Sequence, residues 1–392
     1  MDYQASLKRE GHGQEMGHIN DFIIERFRGL RDLKIESAGQ VNLFVGNNNS
    51  GKTSVLEAAS IYSDPLNWRR WYEIGSQREL PNISRTALID RLTWLFPQDV
   101  ADDLPSEHMK ILLSASGNNT PVTKVSASYE NFAEMVNLAQ LYLSDSKESE
   151  IEEVETEGIK IHVSVLANPI QPTLFKKEDT ERELQETLTF SDYRSPTSTR
   201  RQQRIMLPSQ IVNPYSHRTS VLTSQLWSEV VEADLKEETI KLLRFFDPSI
   251  QDVDFISPTE RKSFISIKHK KLGRVPLYAF GDGLRRIFTL AVTIPRVRGG
   301  LLLIDELETS IHTTALEKTF DWLVKACMSN HIQLFATTHS LEALDAILEV
   351  SRENTELVVY RLQHDDKQTT TTRFDKEITL RLREELGMEL RY

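Results

Sequence analysis

Residues 41–58 pass from an apolar strand, Val41-Asn42-Leu43-Phe44-Val45, through a glycine-bounded polar loop, Gly46-Asn47-Asn48-Asn49-Ser50-Gly51-Lys52-Thr53, into a helix that begins Ser54-Val55-Leu56-Glu57-Ala58. Strand, loop and helix in that order make a phosphate-binding P-loop. Gly46 and Gly51 let the backbone curl, so that successive N–H groups across Asn47, Asn48, Asn49 and Ser50 point at phosphate oxygens. Lys52 then reaches the β- and γ-phosphates, and the Thr53 hydroxyl can hold Mg²⁺. The helix presents its positive N-terminal end, at Ser54, to the same anion. The fold expected around such a loop is α/β.

At 392 residues and 39% hydrophobic the chain can bury a substantial core, and two or three domains are expected. A net charge of −11 argues against wholesale electrostatic binding of nucleic acid or acidic membranes, although a local basic groove is compatible with it. The single cysteine, Cys327, excludes an intramolecular disulfide or a cysteine-rich metal site within one chain, and reads as a buried helix residue. There is no run of about 18 apolar residues and no charged-then-apolar leader at Met1-Asp2-Tyr3-Gln4, so a cytoplasmic protein with no membrane partner is expected.

Residues 1–19 read as a flexible terminus, with His12, Glu15 and His18 as an alternative metal spacing. Phe22–Ile24 and Leu33–Ile35 read as short strands around a turn at Arg28-Gly29. After the P-loop helix, Trp68-Arg69-Arg70-Trp71 can pack in a core or stack bases, and an amphipathic run from Ala87 stops at Pro97. Strands are expected at 108–116, 123–129 and 158–167, a helix at 132–143, and a solvated acidic loop at 144–158. Residues 170–219, with Arg194, Arg200, Arg201 and Arg204, read as a flexible surface loop or, alternatively, a nucleic-acid or partner patch. A helix is expected at 221–246 and strands at 252–256 and 263–269; no internal repeat and no long coiled coil are found.

The chain becomes most informative between Phe280 and Ser340. Leu301-Leu302-Leu303-Ile304-Asp305-Glu306 is a continuous apolar run ending in two carboxylates, as a parallel strand buried on both faces would be, and such strands bind ligands at their carboxyl ends. Asp305 is then the Mg²⁺ partner beside Thr53, and Glu306 is placed to orient or activate an attacking water. Ile332–Ala336 is a second such run, ending in Thr337-Thr338-His339-Ser340; His339 can contact the γ-phosphate or the water. Phe280-Gly281-Asp282-Gly283-Leu284-Arg285-Arg286 opens an amphipathic helix whose N–H groups can bind an anion.

This order of motifs resembles the ATPase heads of the ABC superfamily, in the branch that contains SMC, RecF and OLD-type ATPases. The resemblance covers residues 20–60 and 250–365. It implies ATP and Mg²⁺ as cofactors, with Gly46–Thr53 as Walker A, Leu301–Asp305 as Walker B, Glu306 as catalytic glutamate and His339 as switch histidine. It also places Gly281-Asp282-Gly283 at the signature motif, Ile311-His312 at the D-loop, and Phe27-Arg28 near the adenine. The wording of Gly281–Arg286 and Ala336–Ser340 looks like stand-alone OLD-like ATPases of bacterial anti-phage defence, many of which work with a separate effector such as a Toprim-type nuclease. With the chain ending at Tyr392, no fused nuclease of that kind is expected.

The signature departs from the family, with Gly281 where serine is usual and Asp282 where glycine is. A carboxylate there repels ATP unless Mg²⁺ or arginine compensates, and Arg285 and Arg286 are at hand. No Q-loop glutamine is evident; Gln77 is the candidate. The expected protein is a P-loop NTPase with an ABC-ATPase head from residues 20–60 and 251–392. Between them lies a mixed α+β insertion domain, 61–250. It would hydrolyse ATP in a homodimer or higher oligomer, with Gly283 of one subunit meeting the P-loop of another, to control an effector in antiviral defence. The rival readings are a DNA-binding repair ATPase like RecF and a slow nucleotide-switch scaffold.

Overall fold

The computed structural model describes residues 18–77, 88–98, 109–118, 120–137, 153–168, 181–191, 195–199, 206–219, 223–259, 262–351, 356–365, 368–385 and 387–389. Val41–Gly46 (β3) is buried at every position because a parallel strand lies on each side. Leu43 faces Ala336 of β14 (Gln333–Thr337) on one flank and Val359 of β15 (Leu357–His364) on the other. Next to β14 lies β13 (Leu301–Ile304), also buried throughout, and beyond it β9 (Ser209–Val212), both parallel. The six-stranded order is β16-β15-β3-β14-β13-β9, with β16 (Thr369–Asp375) the antiparallel edge.

The near-continuous hydrophobicity of these strands follows from having two covered faces. Successive side chains point to opposite sides. Phe44, Leu301, Leu303, Phe335 and Tyr360 pack on one core with the helix Lys52–Ser63 and a second sheet. Leu43, Val45, Leu302, Ile304, Leu334 and Val359 pack on another with the helices Asp282–Thr293, Thr313–Ser329 and Leu341–Val350. The second sheet is antiparallel and seven-stranded, in the order β2-β1-β4-β5-β6-β7-β8. Its strands are β1 (Asp21–Phe27), β2 (Leu30–Ile35), β4 (Ile111–Ser116), β5 (Val122–Asn137), β6 (Glu153–Ala167), β7 (Arg182–Ser191) and β8 (Thr197–Ser198). A third sheet joins β10 (Ile250–Thr259), β11 (Lys262–His269) and β12 (Gly273–Pro276).

The expected α/β architecture is thus present, and the segment 61–250 contributes to both large sheets, supplying β9 to the parallel one. Among the described residues the longest helix is Thr313–Ser329, 17 residues. None is long and apolar enough to cross a membrane.

Several local expectations are corrected. Residues 132–137 are strand, not helix: β5 pairs with β6 residue by residue from Lys124↔Leu166 to Asn137↔Glu153, and that ladder overrides the helix-forming composition. For the same reason 153–158 are strand rather than acidic loop, while 138–152 lie outside the described residues. Within the expected loop 170–219, 182–191 and 209–212 are strands, the first paired with its chain neighbour β6 and the second with the remote β13. The helix expected at 221–246 is two, Ser224–Glu232 and Lys236–Phe246, broken where Asp234 takes a φ of 58°.

Phe44 is fully buried, with its ring centroid 5.6 Å from Phe335 and 5.4 Å from Tyr360. Phe44→Ala is expected to lower the unfolding free energy by about 3–5 kcal/mol in urea titration. A loss below about 1 kcal/mol would contradict this account of the core.

Candidate functional site

The loop after β3 needs its two bounding glycines. Gly46 has φ +142°, and a Cβ there would lie 2.2 Å from the Leu362 carbonyl oxygen. Gly51, at φ +93°, is left-handed and caps the helix Lys52–Ser63. Between them Lys52 turns back over the loop, its Nζ donating to the carbonyls of Gly46 (2.8 Å) and Asn47 (2.7 Å). Burial lowers the pKa of this ammonium to about 8, against the pull of Asp305, Glu306 and Glu308.

Thr53 begins the same helix one residue on, and its Oγ1 donates towards Asp305, 3.1 Å from each carboxylate oxygen. Asp305 follows β13 directly, and its Oδ1 also accepts from Thr337 Oγ1, at the end of β14, at 2.7 Å. Burial raises the Asp305 pKa, and the two hydroxyl hydrogen bonds oppose the rise. Thr53 and Asp305 together offer only hard oxygen donors on two rigid elements. That set suits a small hard cation which keeps waters and phosphate oxygens in its remaining positions. Among the described residues no three His, Cys, Asp or Glu side chains form a metal cluster of their own.

Glu306 takes a left-handed φ of 50°. Its N–H donates to Thr337 Oγ1 at 2.8 Å, and its Oε2 accepts from Thr309 Oγ1 at 2.8 Å. His339 follows β14, and burial, then the Lys52 charge, lowers its pKa, which favours the neutral imidazole. The loop that carries it is held by Glu308: Oε2 accepts from Thr338 Oγ1 (2.8 Å), and Oε1 from the N–H groups of His339 (3.0 Å) and Ser340 (3.1 Å). Sequence reasoning passed over Glu308; its only signal was a third carboxylate close behind Asp305 and Glu306.

A cavity of about 490 Å³ collects these groups. Asn48, Asn49, Ser50, Gly51, Lys52, Thr53 and Ser54 line it, as do Asp305, Glu306 and His339, whereas Gly46 and Asn47 hold Lys52 from behind. Gln77 is on its wall, and so are Asn213 and Tyr215, which follow β9, a strand too short to leave a pattern in the sequence. A neighbouring cavity of about 530 Å³ shares Asn49, Gly51 and Ser54 and is walled by Arg28, Trp94, Phe96 and His364. Arg28 donates there to the buried Glu57 at 2.7 Å.

Gly283 is not on the cavity wall; a Cβ on it would meet the Ser310 carbonyl oxygen at 2.8 Å. Asp282 is compensated by Arg218 and by Arg285 (3.3 Å); the hydrogen bond from Arg218, then the positive charges around it, holds its pKa down. Arg286, expected to share that task, is instead fully buried. His312 caps the helix Thr313–Ser329 through its side chain. Trp71 is fully buried, its Nε1 donating to the Pro65 carbonyl, and Trp68 packs on the same core, so packing, not base stacking, describes this pair. His18 Nε2 lies 3.0 Å from the His331 carbonyl oxygen. His12, Glu15, Arg194, Arg200, Arg201 and Arg204 lie outside the described residues.

The chain is similar to an ATP/GTP phosphatase of Helicobacter pylori, 23% identical over 362 residues that cover 86% of this chain and 89% of that one. An uncharacterised protein of Methanocaldococcus jannaschii is 34% identical over 112 residues, 28% of this chain and 98% of its own. Among solved structures, an SMC head bound to the C-winged helix domain of ScpA matches at a TM-score of 0.47 and 10% identity, over 95% of this chain and 100% of that one. The SMC head domain from Thermotoga maritima matches at 0.38 and 11%, over 91% and 99%. Residues 144–345, just over half of the sequence, match a family described as "AAA domain, putative AbiEii toxin, Type IV TA system", and the chain belongs to that family.

Proposed function

We propose that this chain binds Mg²⁺-ATP in the P-loop cavity and that its hydrolysis, by controlling association of two heads, regulates a separate effector, a nuclease among the candidates, in cytoplasmic antiviral defence. The observation that carries the ATPase reading is the convergence of Lys52, Thr53, Asp305, Glu306 and His339 on one cavity at the carboxyl ends of β3, β13 and β14. The ATP/GTP phosphatase relative supports it.

In this reading Lys52 leaves the Gly46 and Asn47 carbonyls for the β- and γ-phosphates, and the loop N–H groups take the oxygens between them. Thr53 and Asp305 would hold Mg²⁺, which would neutralise charge on the phosphate oxygens. Glu306, its carboxylate oriented by Thr309, accepts a proton from the attacking water. His339, neutral and fixed by the Glu308-bound loop, donates to the γ-phosphate or that water. Arg28 and Trp94 wall the neighbouring cavity, which suits the nucleoside. A second copy brings Gly283 and the N-terminus of the helix Asp282–Thr293 to the open side, and the 61–250 segment passes the nucleotide state to the effector.

Two substitutions test the chemistry. Lys52→Ala should abolish ATP binding and turnover. Glu306→Gln should keep binding but lower kcat by roughly 10²–10⁴-fold, and light scattering should find it associated with ATP and dissociated with ADP. Turnover surviving in both variants would refute the assignment.

The lowered Lys52 pKa adds a pH dependence. Phosphate needs the charged ammonium, which the ligand-free protein holds only below a pKa of about 8. Binding above that pH must take up a proton, so affinity for a non-hydrolysable ATP analogue should fall by up to about tenfold per pH unit from pH 8 upwards. Calorimetry at about pH 7 and about pH 9 would measure it, and an unchanged Kd would contradict this role of Lys52.

A further inference from the structure

Arg286 is among the largest fully buried side chains, with 0% of its surface exposed, and it sits on the helix Asp282–Thr293 among Leu284, Ile287 and Phe288. None of its hydrogen bonds goes to a carboxylate. Its Nη1 donates to the carbonyl of Asn213, just past β9, and its Nη2 to the carbonyls of Asp305 (3.2 Å) and Glu306 (3.4 Å), just past β13. Its Nε has no hydrogen-bond partner. A buried guanidinium bonded only to carbonyls is a poor device for stability, since an apolar side chain of similar volume avoids the desolvation.

What those carbonyls belong to supplies a reason. Asp305 and Glu306 carry the two carboxylates that face the P-loop, and Glu306 holds a left-handed φ of 50°, which a residue with a side chain keeps only where its surroundings impose it. Two side chains hold its backbone. Thr337 Oγ1 accepts the Glu306 N–H at 2.8 Å, and Arg286 donates to the carbonyl of Asp305 and to that of Glu306 itself. The planar fork of an arginine can serve two strand ends at once, which a single ammonium cannot. Burial lowers the pKa of the guanidinium to about 10 while Asp305, Glu306 and Glu308 pull it up, so its charge is present behind those carboxylates at neutral pH.

We propose that Arg286 is a positioning residue for ATP hydrolysis: by clamping the carbonyls of Asn213, Asp305 and Glu306 it sets the backbone on which the Asp305 and Glu306 carboxylates stand. The inference rests on the ATPase reading above. It also gives the glycine-led helix a direct mechanical hold on the carboxylates, independent of any contact Gly283 makes.

The test compares wild type, Arg286→Met and Arg286→Lys in steady-state ATPase assays, binding of a fluorescent ATP analogue, and thermal unfolding. Arg286→Met should remain folded and bind ATP within about threefold of wild type, yet lose at least about thirtyfold in kcat, the scale of a small misplacement of reacting groups. Arg286→Lys should keep KM and lose at least about tenfold in kcat, because it keeps the charge without the fork. If Arg286→Met does not fold, Arg286→Lys decides. A kcat within about threefold of wild type in a folded variant, or a loss confined to KM, overturns the proposal while leaving the ATPase reading intact. A wild-type protein without ATPase activity overturns that reading and this inference with it.

Discussion

The contact between Thr53, Asp305 and Thr337 ties three separate chain segments into one site. Thr53 starts the helix after β3, Asp305 ends β13 and Thr337 ends β14, and a single carboxylate accepts from both hydroxyls. Its position depends on the parallel register, in which Ile304 faces Ala336 and Thr337 faces Phe44. A slip of one residue in either pairing would send Asp305 to the other face and separate the groups. The apolar packing on both sides of the sheet is what makes such a slip costly, so the core and the chemistry are specified together.

Around that contact the charges are arranged in depth. Lys52 stands in front of the carboxylates and Arg286 behind them, with Glu306 and Glu308 held by threonine hydroxyls and backbone N–H groups. Burial acts on the groups in different directions. It lowers the pKa of Lys52 and His339 and raises that of Asp305. Burial thus disfavours the charged forms of Lys52 and Asp305, which a phosphate and its counter-cation would favour.

The P-loop, β13 and β14 were legible in the sequence because each is a local pattern: a strand buried on both faces is apolar throughout, and its polar cap marks the carboxyl end. Phe22–Ile24 and Leu33–Ile35 were legible for a similar reason. β9 was not, because Ser209–Val212 is short and becomes a strand only by pairing with β13, some 90 residues on. Asn213, Tyr215 and Arg218 were lost with it. Glu308 and Arg286 were invisible for a different reason. Both act on backbone groups of other segments, and a backbone carbonyl or N–H leaves no mark in the sequence to say which side chain it will meet.

The altered signature shows how a local reading of charge can invert. Taken alone, Asp282 puts a negative charge at the start of a helix whose N–H groups would otherwise attract an anion. In the fold, Arg218 and Arg285 both contact it, and burial lowers the pKa of the adjacent His217. Two cations against one anion leave this helix end positive, and the macrodipole adds the same sign. Arg218 is exposed, so part of this field is screened, but its sign does not depend on the screening. The charge at this helix start is therefore set by Arg218 and Arg285 as much as by Asp282, and the arginine that follows β9 is part of it.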